Sequence, residues 1–325
     1  MKKSLHSLVQ KCVLMLSLLF AFHFSSFSQL SAGNYFEGGI VIAPMGFLGD
    51  LGGHQGKGTT FLKDYNLNET KVSFGLAVTA HPAEWLGIRA AINFGKISGS
   101  DDNITAKGGD EDTRKNRNLD FRSNIIEGYI AAEVYPTVFL ENDPTDVQGR
   151  LRPYGVLGVG AFHFNPQGTY TNPSGITSWI NLRPLHTEGQ GYAEYPERKE
   201  YSLTQINIPM GVGIKYYFSN NLNIAFEIIH RKTFTDYIDD VSTTFVDPSV
   251  FSAHMSPAQA AIATQMANKS PLNGTPNSGY NPGDKRGNPN QNDAYFTAGF
   301  KIGIRIGTSG EQQWRNSTRC PVMRF

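Results

Sequence analysis

Residues 205–218 read QINIPMGVGIKYYF and alternate strictly. Ile206, Ile208, Met210, Val212, Ile214, Tyr216 and Phe218 fall on one side. Asn207, Pro209, Gly211, Gly213, Lys215 and Tyr217 fall on the other. A period of two places successive side chains on opposite faces of a β-strand. The pattern returns in residues 222–231, where Ile229 breaks it, and in 294–307. It is weaker but legible in 35–43, 72–81, 85–98, 120–135 and 151–164. Eight strands result, most about ten residues long. Globular strands have a mode of about 5–6 residues, whereas a tilted strand needs about 9–11 to cross a bilayer. Strand length therefore points to a membrane barrel.

Connection lengths agree. The stretches 44–71, 99–119, 165–204 and 232–293 are long, while 82–84 and 219–221 are tight turns. Long loops at one end and short turns at the other describe an outer-membrane barrel, and an even strand count puts both termini in the periplasm. Sidedness points the same way: apolar residues would face lipid and charges the lumen. The expected lumen set is Glu37, Arg89, Glu127, Glu133, Lys215, Glu227, Arg231, Lys301 and Arg305. Its signs nearly balance, and an eight-stranded bore is just wide enough for side chains to fill. A plugged barrel follows, with Arg231, Lys215 or Arg305 expected as the partner of Glu227. The competing fold is a soluble lipocalin-like barrel, which so charged an inner face disfavours.

Composition excludes some classes. The formal charge is +1, too small a surplus to argue for nucleic acid. Thirty-four Gly with 21 Phe and 14 Tyr suit an all-β chain. Residues 1–28 have the form of a secretory signal peptide: Lys2, Lys3 and Lys11, an apolar run to Phe24, then Ser26-Phe27-Ser28. Residues 29–307 would be the barrel and 308–325 a periplasmic tail carrying Trp314, Cys320 and Phe325. Loss of the signal peptide removes Cys12 and leaves Cys320 without an internal partner.

Few motifs carry chemistry. GxSxG, HExxH and CxxC are missing from the sequence, and no cofactor is expected. Gly155, Gly158 and Gly160 sit inside a strand pattern, where small residues facing a narrow lumen explain them. Ser256, Pro257 and Gln259 open a helix with a capping-box pattern. The following run, 270–292, is rich in Asn, Pro and Gly and reads as a mobile loop. Residues 231–248, RKTFTDYIDDVSTTFVDP, gather Asp236, Asp239 and Asp240. Their spacing differs from the alternating ligands of a calcium loop. A calcium site is one reading, acid–base chemistry another, and turn-capping carboxylates at a barrel mouth the favoured one.

Three segments, RPYGVLGVGAFHFNPQ (152–167), LRPLHTEGQGY (182–192) and RKTFTDYIDDVSTTFVDP (231–248), resemble the PorG-type outer-membrane barrel of the type IX secretion system. The likeness covers roughly residues 35–307. It implies a non-enzymatic barrel that serves protein export, and in some cells gliding motility, bound to a periplasmic ring built from a lipoprotein and an associated ring subunit. It carries over no catalytic residue. The chain departs from the family pattern in residues 249–293. Two other functions compete with this one, a small transport or ligand-binding barrel and an outer-membrane enzyme. Cys320 would then suit an intermolecular disulfide to the ring lipoprotein, with Trp314 and Phe325 as apolar contacts of the tail.

Overall fold

The computed structural model describes residues 35–51, 69–104, 110–140, 150–219, 221–273 and 280–306. Eight long antiparallel strands close on themselves. They are β1 (Tyr35–Leu48), β2 (Lys71–Ala83), β3 (Leu86–Ser100), β4 (Asp120–Val134), β5 (Leu151–His163), β8 (Thr204–Tyr217), β9 (Leu222–Thr233) and β10 (Ala294–Ile306). The order is β3-β2-β1-β10-β9-β8-β5-β4, and β3 pairs with β4 to complete the ring. All eight expected strands form, most with bounds within two residues of those expected, while β1 runs five residues further at the long-loop end. The expected signal peptide and tail lie outside the described residues.

Alternation becomes sidedness in the barrel. On β8, Ile206, Val212 and Ile214 point outward and are exposed, while Asn207 and Lys215 are buried inside. On β2 the exposed set is Val72, Phe74, Leu76 and Val78. An apolar belt of this kind runs around the barrel, and lipid is the solvent that accommodates it. Among the described residues no helix is long and apolar enough to cross a membrane; the crossing elements are strands. Ile229, the break in the pattern of β9, faces inward and lines a small lumen cavity.

The short-turn end differs in detail from expectation. The β2–β3 turn is Glu84-Trp85 rather than 82–84, because a register shift between Ala80 and Ala83 carries Pro82 within the strand. Proline, lacking an N–H, is tolerated at such irregularities. Between β8 and β9, the Ser219 hydroxyl accepts from the amides of Asn221 and Leu222 at 3.3 and 3.1 Å. Tyr35 and Ile306, the two ends of the described chain, lie at this same end of the barrel.

The long connections fold into a packed cap. The sequence reading missed the hairpin of β6 (Gln167–Thr171) and β7 (Thr177–Asn181), which joins β4 through Arg122 and Gln167. It also missed α1 (Asp110–Arg117), which sits in a stretch expected to be polar loop. The cap adds α2 (Ser249–His254) and α3 (Pro257–Ala267). Helix α3 begins where expected, with Ser256 at the N-cap and Pro257 at N1. The capping box does not form, because the Ser256 hydroxyl bonds the Gln259 side chain at 2.9 Å instead of a backbone amide. Phe164, Leu182, Ile238, Phe251 and Met266 share one apolar core with strand residues Met45, Ile97, Phe121 and Tyr295. The expectation of a mobile 270–292 run is corrected for its described part. Tyr280 donates to the Thr113 carbonyl at 2.9 Å, and Arg286 is buried. Turns at Asn281–Asp284 and Asn288–Gln291, each closed by a backbone hydrogen bond, flank Arg286.

Candidate functional site

Two layers of ion pairs fill the bore. In the first, Arg89 is completely buried; its Nε donates to Glu133 Oε1 at 2.5 Å, and its two terminal nitrogens donate to Glu227 at 2.9 and 2.5 Å. Lys215 reaches Glu37 at 3.0 Å and Glu133 at 3.7 Å. Lys301 lies 3.2 Å from Glu133, 3.4 Å from Glu37 and 3.6 Å from Glu227. The hydroxyls of Tyr135 and Tyr154 donate to Glu133 and Glu227. In the second layer, Arg231 meets Glu127 at 3.2 Å, and Glu127 also accepts from Asn93, Asn207 and Tyr295 at 2.8, 2.6 and 3.0 Å. Four carboxylates thus face four cations, so the ion pairs balance, as buried charge requires, while Asn207 Oδ1, Asn223 Oδ1 and both ring nitrogens of His81 have no hydrogen-bond partner.

This arrangement corrects the expected partners of Glu227. Arg89 and Lys301 hold it; Arg231 turns to Glu127, and Lys215 turns to Glu37. Arg305 stays outside the network, half-buried at the short-turn mouth with its guanidinium 3.6 Å from the Tyr35 ring centre. Alternation along a strand tells which face a charge occupies, but barrel shear decides which charges meet. A cavity of about 10 Å³ remains near Asn93, Tyr129, Ile229 and Arg231, about the space of one water molecule. The strand glycines divide. A Cβ at Gly158 would meet the Ile130 carbonyl oxygen at 2.3 Å, so that position faces a crowded interior. Gly155 has open space around it and lies on the outward face, against expectation.

The Asp-rich stretch caps turns as expected, with Asp239 Oδ1 accepting from the Val241 amide at 3.0 Å and Asp247 Oδ1 from the Ser249 amide at 2.9 Å, but it lies largely buried in the cap rather than along an open rim. Asp239 and Asp240 are completely buried, and they part company. Asp240, in the left-handed backbone region at φ 64°, accepts from Thr187 at 2.5 Å and Tyr201 at 2.7 Å. Burial raises its pKa to about 6, with Arg286 opposing the shift. Beside it, buried Glu188 accepts from the Ser242 and Thr243 amides at 2.9 Å each and from Arg286 at 2.7 Å. Arg286 also donates to the Asp240 carbonyl at 2.6 Å. Segments 182–192 and 231–248 are thereby locked together. Asp236 and Asp239 turn the other way, toward Asp50 and Asp293. Among the described residues no group of three or more His, Cys, Asp or Glu side chains is arranged to hold a metal ion.

Glu188, Arg286, Asp50 and Asp293 escaped the sequence reading. Glu188 lies in the segment 182–192 but drew no notice there, the other three sit in no quoted segment, and each acquires its role from a contact more than 40 residues away in the chain. Cys320, Trp314 and Phe325 lie outside the described residues.

No family model matches the chain, and no curated protein matches it. Solved structures do. The attachment invasion locus protein Ail of Yersinia pestis shares 8% identity, covering 84% of this chain and 99% of its own, with a TM-score of 0.35. The N-terminal β-barrel domain of Pseudomonas aeruginosa OprF shares 9% over 84% of this chain and 99% of its own, at 0.32. A major outer membrane protein of Thermus thermophilus shares 14% over 83% and 99%, at 0.38.

Proposed function

We propose that this chain is a non-enzymatic outer-membrane barrel that serves the type IX protein secretion machinery. In this reading it rests on a periplasmic ring through contacts with the ring lipoprotein and its associated subunit. The carrying observation is the lock in the cap. Two of the three segments that resemble the PorG-type family, 182–192 and 231–248, are joined by Glu188, Asp240 and Arg286. In this chain the two segments thus form one packed unit.

The closed bore supports an accessory role over the transport alternative. Ion pairs occupy the lumen, leaving space for about one water at the cavity beside Arg231 rather than for a ligand. The apolar belt supports membrane placement, and the short turns would face the periplasm with both ends of the described residues, Tyr35 and Ile306, beside them. There the tail could engage the ring, with Cys320 as a disulfide candidate.

Tagged protein extracted in mild detergent should bring down the ring lipoprotein and its partner in fixed proportion. Recovery of the monomer alone, from cells in which the ring is intact, would overturn the reading.

A further inference from the structure

Three segments of the cap bring four carboxyl groups together. Residues 49–51 follow β1, residues 235–241 follow β9, and Asp293 immediately precedes β10. The Leu51 amide donates to Asp239 Oδ2 at 3.0 Å, and the Ile238 amide donates to Asp293 Oδ2 at 2.8 Å. A Cβ at Gly49 would lie 2.2 Å from Asp293 Oδ1, so Asp293 is pressed against the first segment as well. The Asn288 amide donates to Asp50 Oδ2 at 2.6 Å. Asp50 is partly buried, and Asp236, Asp239 and Asp293 are 7%, 0% and 1% exposed.

Asp239 accepts a backbone amide at each oxygen, from Leu51 and from Val241 at 3.0 Å, but Asp236 and Asp293 lack what buried carboxylates need. Both oxygens of Asp236 and Oδ1 of Asp293 have no hydrogen-bond partner. A buried cation, Arg117, favours ionised Asp50 and Asp239 through space, but its hydrogen bonds are committed: it grips both oxygens of Asp101 at 2.8 Å and gives Asp50 a bond only at its backbone carbonyl. Lys285, which favours ionised Asp50, is exposed. Glu188 adds further negative charge facing Asp50 and Asp236, while Ser242 favours ionised Asp236 without standing in hydrogen-bond geometry. Uncompensated carboxylates at this depth are strongly disfavoured, and the usual escape is to bind a proton. A protonated carboxyl is a donor, so it can bond its neighbour across the cluster.

We propose that Asp50, Asp236, Asp239 and Asp293 form a shared-proton site that latches the cap over the barrel mouth, closed in acid and released as the carboxyls ionise. Each ionisation passes one proton to water and leaves a carboxylate that repels its neighbours. Burial, reinforced by those neighbours, raises Asp236 to about 8 and holds Asp239 and Asp293 well above the carboxylate range. A folded pKa above that of the open form means closure is strongest in acid. It weakens as pH climbs from the ordinary Asp range through the folded value.

The test is amide exchange across residues 235–250 of the full-length protein in lipid nanodiscs, corrected for the intrinsic rate. Between about pH 5 and pH 8 the opening constant should rise about tenfold per pH unit for each proton released. Asp236→Asn and Asp293→Asn, which mimic the protonated form, should flatten that slope and keep the cap closed at pH 8. Flat protection in the wild type, or a variant with the wild-type slope, overturns the site. Should the variants fail to fold, infrared spectra of the wild type decide: a protonated-carboxyl band at neutral pH that titrates away supports the proposal, and its absence refutes it. Added calcium is the control. Protection restored by calcium at pH 8 in the wild type would show a metal site in place of a proton site.

Discussion

Arg89 and Glu227 meet inside the barrel as a two-bonded pair, Nη1 to Oε2 at 2.9 Å and Nη2 to Oε1 at 2.5 Å, at 0% and 4% side-chain exposure. Paired planar groups of this kind combine charge with fixed geometry. Removing one partner strands the other in a low-dielectric interior. Glu227→Ala should therefore cost about 3–5 kcal/mol, against about 1 kcal/mol or less for a substitution at exposed Glu84. Urea unfolding of the detergent-solubilised barrel measures both. Equal losses would contradict the assigned role of the pair.

The same network predicts electrical silence. In planar bilayers the purified barrel should show no steady large conductance, since Arg89, Lys215 and Lys301 bridge the bore. A stable open channel in the wild type would mean the ion pairs do not span the lumen in a membrane.

The lock in the cap can be broken on its own. Arg286→Ala removes the bonds to Glu188 and to the Asp240 carbonyl, each worth about 1.5–3 kcal/mol when a charged group takes part. Proteases should then cut the cap while the barrel strands stay resistant. Unchanged resistance of the cap would show that its apolar core suffices without the lock.

Orientation follows from loop length. In a Cys320→Ser background on whole cells, a cysteine at exposed Ser252 should react with an impermeant maleimide, and one at exposed Asn221 should not. The reverse pattern would invert the barrel in the membrane.

The tail carries its own prediction. With thiols trapped at lysis, non-reducing gels should show a high-mass band that contains this chain, disappears with reductant and is lost in Cys320→Ser. A wild-type band at the monomer position alone would remove the proposed disulfide.

The barrel was legible because alternation is a local property. Residues 205–218 and 294–307 declare their two faces without reference to any other part of the chain, and eight such declarations fix strand number and sidedness. Partner choice was not legible. Glu227 and Arg231 share a face and lie four residues apart, yet Arg231 pairs with Glu127 on a strand across the bore. The cap was the larger surprise. Residues 270–292 resemble solvated linker because their composition is dominated by turn formers, but one Tyr and one Arg tie the described part down. Hairpin β6–β7 hid for a different reason: five-residue strands without apolar alternation leave only the Asn-Pro-Ser-Gly turn to mark them, where Asn172 accepts from Ser174 and Ile176.

The layout of the lumen charges bears on how the barrel is made. Glu37 comes from β1, Arg89 from β3, Glu127 and Glu133 from β4, Lys215 from β8, Glu227 and Arg231 from β9, and Lys301 from β10. Most partners therefore sit on strands that are not neighbours, and Lys301 joins the first strand to the last as the ring closes. A half-assembled sheet would present unmatched charge to the bilayer, at several kcal/mol for each ion. The charge layout thus ties favourable insertion to closure of the ring.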